Sequence, residues 1–389
     1  QNNPSIRFKG FTDAWEQRKS HEIFQTITDY VANGSFASLR ENVSYSKKKD
    51  FAIVVRLTDY SNKYKGPFLY TSELGYKFLK KSSLVKGDIL ISNVGANAGL
   101  VYRAPNMDVP MTLGPNSILV RSDGNDTEFL YQMMKTTYGE KKIKEQIGIS
   151  AQPKFNKTEF RQIDFFLPSN DEQKQIGTMF SQLDKTIALH QRKLTLLEQL
   201  KQSYLQLMCP QNKGNIPALR FAGFSEPWEQ RKIRELFTVT RGQVLAATKT
   251  KDKETNNFIY PVYSSQTKNN GLMGFYDQYL FENAITWTTD GANAGTVNFR
   301  KGKFYSTNVN GVLLSDKGFA NKAISEIINK IAWKHVSKVG NPKLMNNVMS
   351  EITVTIPFVE EQNKLSLLFE QLDDTIDLHK CMLDKLLEL

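Results

Sequence analysis

The sequence is poor in the residues that carry most enzyme chemistry. Its 389 residues include only two cysteines and four histidines. Cys209 and Cys381 have no partner motif, so neither a disulfide framework nor a metal-ligand spacing is present. Free thiols in a reducing cytoplasm are the expectation. No run of about 18 apolar residues occurs, and no transmembrane helix is expected; no secretory signal pattern opens the chain. Walker motifs are missing. So are Ser-His-Asp and Cys-His constellations, a nuclease carboxylate–lysine set, and the Asn/Asp-Pro-Pro-aromatic signature of amino-methyltransferases, which Asn341-Pro342-Lys343 does not supply. These absences point to a binder rather than a catalyst.

What the chain has is ordinary globular composition, 40% hydrophobic and 23% charged, with a net charge of +11. Its length exceeds one ordinary core and favours two or three domains. The positive balance suits an anionic partner: nucleic acid, a membrane surface or an acidic protein.

The chain also repeats itself. RFKGFTDAWEQRK from Arg7 returns as RFAGFSEPWEQRK from Arg220, with nine of thirteen positions identical at an offset of 213. EQKQIGTMFSQLDKTIALH from Glu172 returns as EQNKLSLLFEQLDDTIDLH from Glu361, ten of nineteen identical at an offset of 189. GANAG stands at Gly95–Gly99 and again at Gly291–Gly295, offset by 196. The shrinking offsets show that the ends of the unit match while its interior has changed length. One scaffold carrying two different recognition surfaces is the reading.

Each copy opens with a mixed segment, 1–168 and 211–357. Strand-like runs at Phe51–Leu57, Asp88–Ser92, Ser117–Val120 and Ala284–Thr288 are set off by Gly, Asn and Pro. Helices are predicted over Thr127–Gln146 and Lys322–Trp333. A long helical segment closes each copy, 169–210 and 358–389. Ile176, Phe180, Leu183, Ile187 and Leu194 in the first, and Leu365, Phe369, Leu372, Ile376 and Leu383 in the second, step by threes and fours. That rhythm makes a coiled-coil seam, and the two helices are expected to pair with each other. The fold class is α+β: two mixed α/β domains related by a pseudo-two-fold axis and joined by two long antiparallel coiled-coil helices. His190 and His379 fall at equivalent seam positions and are read as register-setting polar residues. Trp15 and Trp228 are read as anchors of each domain on the helix junction. The second helix ends at Leu389, the counterpart of Leu200, so nothing matches Lys201–Met208.

GANAG follows a strand-like run in both copies, where glycine lets backbone approach a ligand. Asn97 and Asn293 could then hydrogen-bond a base edge or phosphate; a tight turn kept by packing is the plainer reading. Basic clusters at Lys47–Lys49, Lys141–Lys144, Lys249–Lys253 and Arg300–Lys303 suit phosphates, though such runs commonly form a solvated face. YSSQTKNN, Tyr263–Asn270, is dense in side chains able to read bases.

Taken together, KGDILISNVGANAG at Lys86–Gly99, the duplicated Pro–Glu-Gln–Leu-Asp helical motif at Leu167–Ile187 and Ile356–Ile376, and YPVYSSQTKNNG at Tyr260–Gly271 resemble the specificity subunits of type I restriction-modification systems over essentially the whole chain. One departure is Glu282-Asn283-Ala284-Ile285 in place of a second Gly-Asp-Ile-Leu. The resemblance implies that 1–168 and 211–357 are target recognition domains, each reading half of a bipartite, asymmetric site in double-stranded DNA. It implies that the helices set the gap and dock two modification (methyltransferase) subunits. Restriction subunits acting as translocase and nuclease complete the complex in the cytoplasm, away from membranes. Cofactors are expected in the partners alone: S-adenosylmethionine in the modification subunits, ATP and Mg²⁺ in the restriction subunits. Candidate DNA contacts are Lys47, Lys48, Asn93, Asn97 and Arg103 in the first copy, and Gln266, Lys268, Asn269, Thr289, Asn293 and Arg300 in the second. A recognition subunit of a two-protein type IIB system is the runner-up, followed by a coiled-coil adaptor for an acidic protein.

Overall fold

The computed structural model describes residues 4–148, 153–210, 214–265 and 268–388. It divides into two compact units, Gln1–Thr186 and Ile187–Leu389.

In the first unit, β1 (Glu16–Lys19) pairs antiparallel with β10 (Asp164–Leu167), closing the start of the segment onto its end. Between them, β2 (Thr26–Asp29), β9 (Ser117–Arg121), β6 (Ile89–Ser92) and β7 (Val101–Arg103) form an antiparallel sheet in that order. A second sheet runs β4 (Leu69–Thr71), β3 (Ala52–Val55), β8 (Met111–Leu113), β5 (Ser83–Leu84), with β3 and β8 parallel. β6 is buried along its whole length, which its unbroken apolar run requires. Ile89 and Ile91 face a core with Phe129, Leu130 and Met134, whereas Leu90 faces a second core with Tyr102, Met111, Leu113 and Leu119.

The helix predicted over Thr127–Gln146 is two helices, α1 (Thr127–Lys135) and α2 (Thr137–Lys144). Thr136 ends the first and caps the second, its hydroxyl accepting from the Gly139 N–H. A side chain at Gly139 would lie 2.2 Å from the Met133 carbonyl oxygen, so the tight corner requires glycine.

α3 (Asn170–Leu207) is an unbroken helix of 38 residues, about 57 Å long, and the boundary between the units falls within it. Ile176 packs on the first unit's core; Phe180, Leu183, Ile187 and Leu194 are half-buried.

The second unit repeats the plan with one change. β11 (Glu229–Lys232) pairs with β18 (Thr353–Ile356) as β1 pairs with β10. A single six-stranded sheet follows: β12 (Thr238–Arg241), β17 (Asn310–Leu314), β15 (Phe281–Thr288), β16 (Val297–Ser306), β13 (Tyr260–Tyr263), β14 (Leu272–Tyr276). β16 is ten residues long, antiparallel to β15 and parallel to β13. It thus joins in one strand what β7 and β8 do separately, and the two sheets of the first unit become one. α4 (Lys322–Ala332) packs on this sheet and on α5 (Val359–Glu388).

Within this unit the two long helices run antiparallel. His190 meets His379, Lys201 meets Asp373 and Glu198 meets Lys380. The apolar stripe of α5 does more than form a seam: Leu365, Phe369 and Leu372 are buried in the domain core with Ile324 and Ile328, Ile376 is buried, and Leu383 is half-buried. No helix among the described residues is long and apolar enough to cross a membrane.

Candidate nucleic-acid interface

The three sequence echoes of each copy serve one frame. In the first unit the Arg7 guanidinium grips Glu172 through Nε at 2.8 Å and Nη2 at 2.6 Å, and its Nη1 donates to the Asp13 carbonyl. In the second, Arg220 grips Glu361 at 2.9 and 2.6 Å and donates to the Glu226 carbonyl. Both carboxylates are almost fully buried. Hydrogen bonding to its carboxylate raises each guanidinium's pKa above the ordinary value. The tryptophans complete the junction: Trp228 Nε1 donates to Glu361 at 3.0 Å, and Trp15 stacks edge-on against Phe129. The following glutamines, Gln173 and Gln362, each donate to the proline carbonyl before the helix, at 3.0 and 2.7 Å. The start of each segment is therefore locked to the start of each long helix.

The GANAG turns are superimposable in their hydrogen bonds. Gly99 and Gly295 donate to Ser92 and Thr288; Leu100 and Thr296 donate to Asn97 and Asn293; Gly95 and Gly291 donate to the carbonyls of Pro153 and Pro342. All four outer glycines have φ between 85° and 92°, the left-handed region. A Cβ on Gly99 would press on Ile143 and Ile147 at 3.2–3.3 Å, and one on Gly295 on Val336 at 2.8 Å. Turn geometry and packing account for these glycines, which is the plainer of the two expectations. What the turn exposes is the asparagine at its tip, Asn97 or Asn293.

The strap that holds each turn is a feature sequence reading missed. Val94 bridges Lys154 and Asp290 bridges Lys343, so a Pro-Lys pair lies beside each GANAG. Pro153-Lys154 and Pro342-Lys343 recur at the same offset of 189 as the long-helix echo, a signal that was available. Both lysines are exposed. The exposed Lys141 and Lys144 lie on α2, which packs over Gly99. In the second unit Trp333, 57% exposed, occupies the corresponding place over Gly295, followed by Lys334. Each turn thus carries an amide tip beside lysines, of which Lys144 pairs with Glu140 at 2.9 Å and Lys343 lies 3.7 Å from Asp290; amides and lysines are groups that meet base edges and phosphates.

The other sequence candidates fall in different settings. Lys47 and Lys48 are exposed on a loop of the first unit. Asn93 is half-buried at a cavity of about 510 Å³ lined also by Tyr30, Phe36, Arg40 and Tyr45, and its side-chain oxygen has no hydrogen-bond partner among the described residues. Arg103 is held inside the fold, paired with Glu128 at 2.7 Å and stacked 3.9 Å over Tyr131. Thr289 is fully buried and donates to the Val309 carbonyl. Arg300 is 7% exposed and bonded to Thr286 and the Asn270 carbonyl. Asn269 is exposed with φ 50°; Lys268 opens the same turn, and Gln266 lies outside the described residues. Lys301, from the basic run, pairs with Glu370 on α5. Among the described residues no cluster of three or more His, Cys, Asp or Glu could hold a metal.

The family model for the type I restriction modification DNA specificity domain matches residues 13–199 and 225–388, one match per copy. The chain belongs to this family. Its two specificity domains share the junction and turn described above. A Mycoplasma pneumoniae protein named as a type I specificity subunit is 30% identical over 217 residues, covering 55% of this chain and 76% of its own. The specificity subunit of the type I restriction enzyme MpnII from the same organism is 32% identical over 158 residues, 40% of this chain and 46% of its own. A crystal structure of the S subunit of a type I restriction-modification system from M. genitalium aligns with a TM-score of 0.64 over 97% of this chain and 94% of that one, at 14% identity. That likeness is one of fold.

Proposed function

We propose that this specificity-family chain is a DNA-reading subunit without a catalytic site of its own, each mixed domain recognising one half of a bipartite site. The observation that carries the reading is the duplicated frame. A rigid, glycine-closed turn presents an asparagine beside a Pro-Lys strap in both units, while the surfaces around it differ. A frame of that kind suits phosphate positioning by Lys154 and Lys343 and amide contacts by Asn97 and Asn293. The +11 charge supports an electrostatic contribution that weakens with salt.

In this reading 1–168 and 211–357 are the target recognition domains, and 169–210 and 358–389 form the helical spacer. The length of α3 sets the gap between half-sites, and the long helices dock two modification subunits. S-adenosylmethionine belongs to those partners, and ATP and Mg²⁺ to the restriction subunits. The test is single-molecule mapping of methylated bases in cells expressing the chain with its modification partner, with and without four residues inserted in the exposed middle of α3. A bipartite motif whose gap lengthens in the insertion variant is expected. An unchanged gap contradicts the spacer role, and the absence of any sequence-specific methylation contradicts the reading as a whole.

A further inference from the structure

We propose that a polar cavity around Arg300 in the second unit is an anion site that accepts one phosphate group. Arg300 projects from β16 onto the sheet face opposite α4. It is 7% exposed and makes no ion pair among the described residues. Its Nε donates to Thr286 Oγ1 at 3.1 Å, its Nη2 to the Asn270 carbonyl at 2.6 Å, and its guanidinium lies 3.7 Å from the centre of the Tyr263 ring. Burial lowers its pKa to about 10, which still leaves it charged at neutral pH. A buried cation with hydroxyl, carbonyl and aromatic neighbours but no carboxylate is incompletely compensated.

Beside it is a cavity of about 70 Å³ lined by Thr286, Thr288, Thr296, Asn298 and Asn310. Every one of these side chains can donate a hydrogen bond, and none is acidic. The same place in the first unit is filled. There Leu90 stands for Thr286, Tyr102 for Asn298 and Ala104 for Arg300, and the tyrosine hydroxyl bonds Ser117, the counterpart of Asn310, at 2.6 Å. One copy has closed this pocket with apolar side chains. The other has lined it with donors around an unpaired cation.

The lining selects the ligand. A cation is repelled, and a neutral molecule leaves the charge uncompensated. The volume admits about two waters or one small tetrahedral anion, but not a nucleobase. Asn270 at the rim is exposed, so a phosphate can come from solution or from the backbone of bound DNA. Only the second source rests on the DNA-reading proposal.

The experiment has two arms. In the first, thermal unfolding of the full chain is followed as inorganic phosphate replaces chloride at constant ionic strength. A saturable rise in Tm is expected, absent in Arg300→Met and weakened several-fold in Thr288→Val. If Arg300→Met does not fold, Asn298→Leu, which fills the cavity with Arg300 in place, must abolish the rise. A response that is non-saturable, or the same in all variants, overturns the site and leaves the cavity to water. In the second arm, binding to the mapped duplex is compared with duplexes carrying a neutral methylphosphonate at single positions. One position whose neutralisation weakens wild type but not Arg300→Met assigns the site to the DNA backbone; no such position assigns it to free phosphate. Failure of wild type to bind any duplex contradicts the DNA-reading proposal and leaves the result of the first arm standing.

Discussion

The two units carry the same frame around different interiors, and the contrast is sharpest on one sheet face. In the first unit that face is sealed by a second sheet, with Leu90, Tyr102 and Leu119 packed against Met111 and Leu113. In the second unit β16 stays in a single sheet, and the corresponding face carries Thr286, Asn298 and Arg300. The grip of the arginine on the buried glutamate is the same in both. What is preserved is the part that ties the domain to its helix; what varies is the sheet face beyond it.

The largest expected effect tests the preserved part. Glu361→Ala strands Arg220 and Trp228 Nε1 at a buried site, and a loss of roughly 3–5 kcal/mol is expected from chemical denaturation of the second unit. Glu172→Ala, which removes the carboxylate that Arg7 grips, should destabilise the first unit as well. A cost confined to one unit would break the equivalence of the junctions.

The next effect concerns an exchange between the copies. Asp88 bonds Arg121 at 2.5 and 2.7 Å in the first unit, whereas the equivalent strand positions in the second are the apolar Ala284 and Leu314. Asp88→Ala alone should cost about 2 kcal/mol by leaving a charge without its partner. The pair Asp88→Ala with Arg121→Leu, which installs the second unit's solution, should recover most of that stability. A double variant no better than the single one would show that the two faces are not interchangeable.

The turns should respond less. Gly295→Ala meets both a positive φ and Val336, and roughly 2 kcal/mol is expected. Gly291→Ala has open space around its Cβ and should cost about 1 kcal/mol from backbone conformation alone. Equal costs would mean that packing over the second glycine contributes nothing.

The smallest effect is a pH dependence peculiar to the second unit. His190 and His379 approach Nδ1 to Nδ1 at 3.0 Å, so one ring donates and the other accepts. Burial first, then Lys193 and His190, hold the His379 pKa below its ordinary value. The folded state therefore disfavours the protonated ring. The unfolded chain binds the proton more readily, so stability is full above about pH 6.5 and falls as pH drops below it. Replacing both histidines with leucine should flatten denaturation midpoints measured between about pH 7 and 5; an unchanged slope would place the titration elsewhere.

The frame was legible in the sequence because its chemistry demands identity. A bidentate arginine–glutamate pair, a tryptophan at the junction and glycines at positive φ tolerate few substitutes, so they survive as matched letters. The second Gly-Asp-Ile-Leu was harder to see. Aligned on GANAG, Gly87 corresponds to Asn283, and both have positive φ, 84° and 46°; asparagine is among the few residues that accept that conformation. The strand is preserved although its letters are not. The Pro-Lys strap was present at the right offset but is only two residues long. Burial was not legible from charge: Arg103 and Arg300 stand among the candidate DNA contacts by residue type, and only the packing reveals Glu128 against one and a partly enclosed polar cavity beside the other. The break at Thr136 was hidden by apolar spacing that continues across it. The merging of two sheets into one rests on β16 running unbroken from its pairing with β15 to its pairing with β13, where the first unit breaks between β7 and β8, and local patterning does not encode that continuity.

In the proposed function one frame, used twice, presents two unlike reading surfaces. Its most direct test is the methylation motif itself, mapped base by base on DNA modified by this chain with its modification partner. Two half-sites of different sequence separated by unspecified bases are expected. A contiguous motif, or two identical halves in inverted repeat, would contradict the proposal.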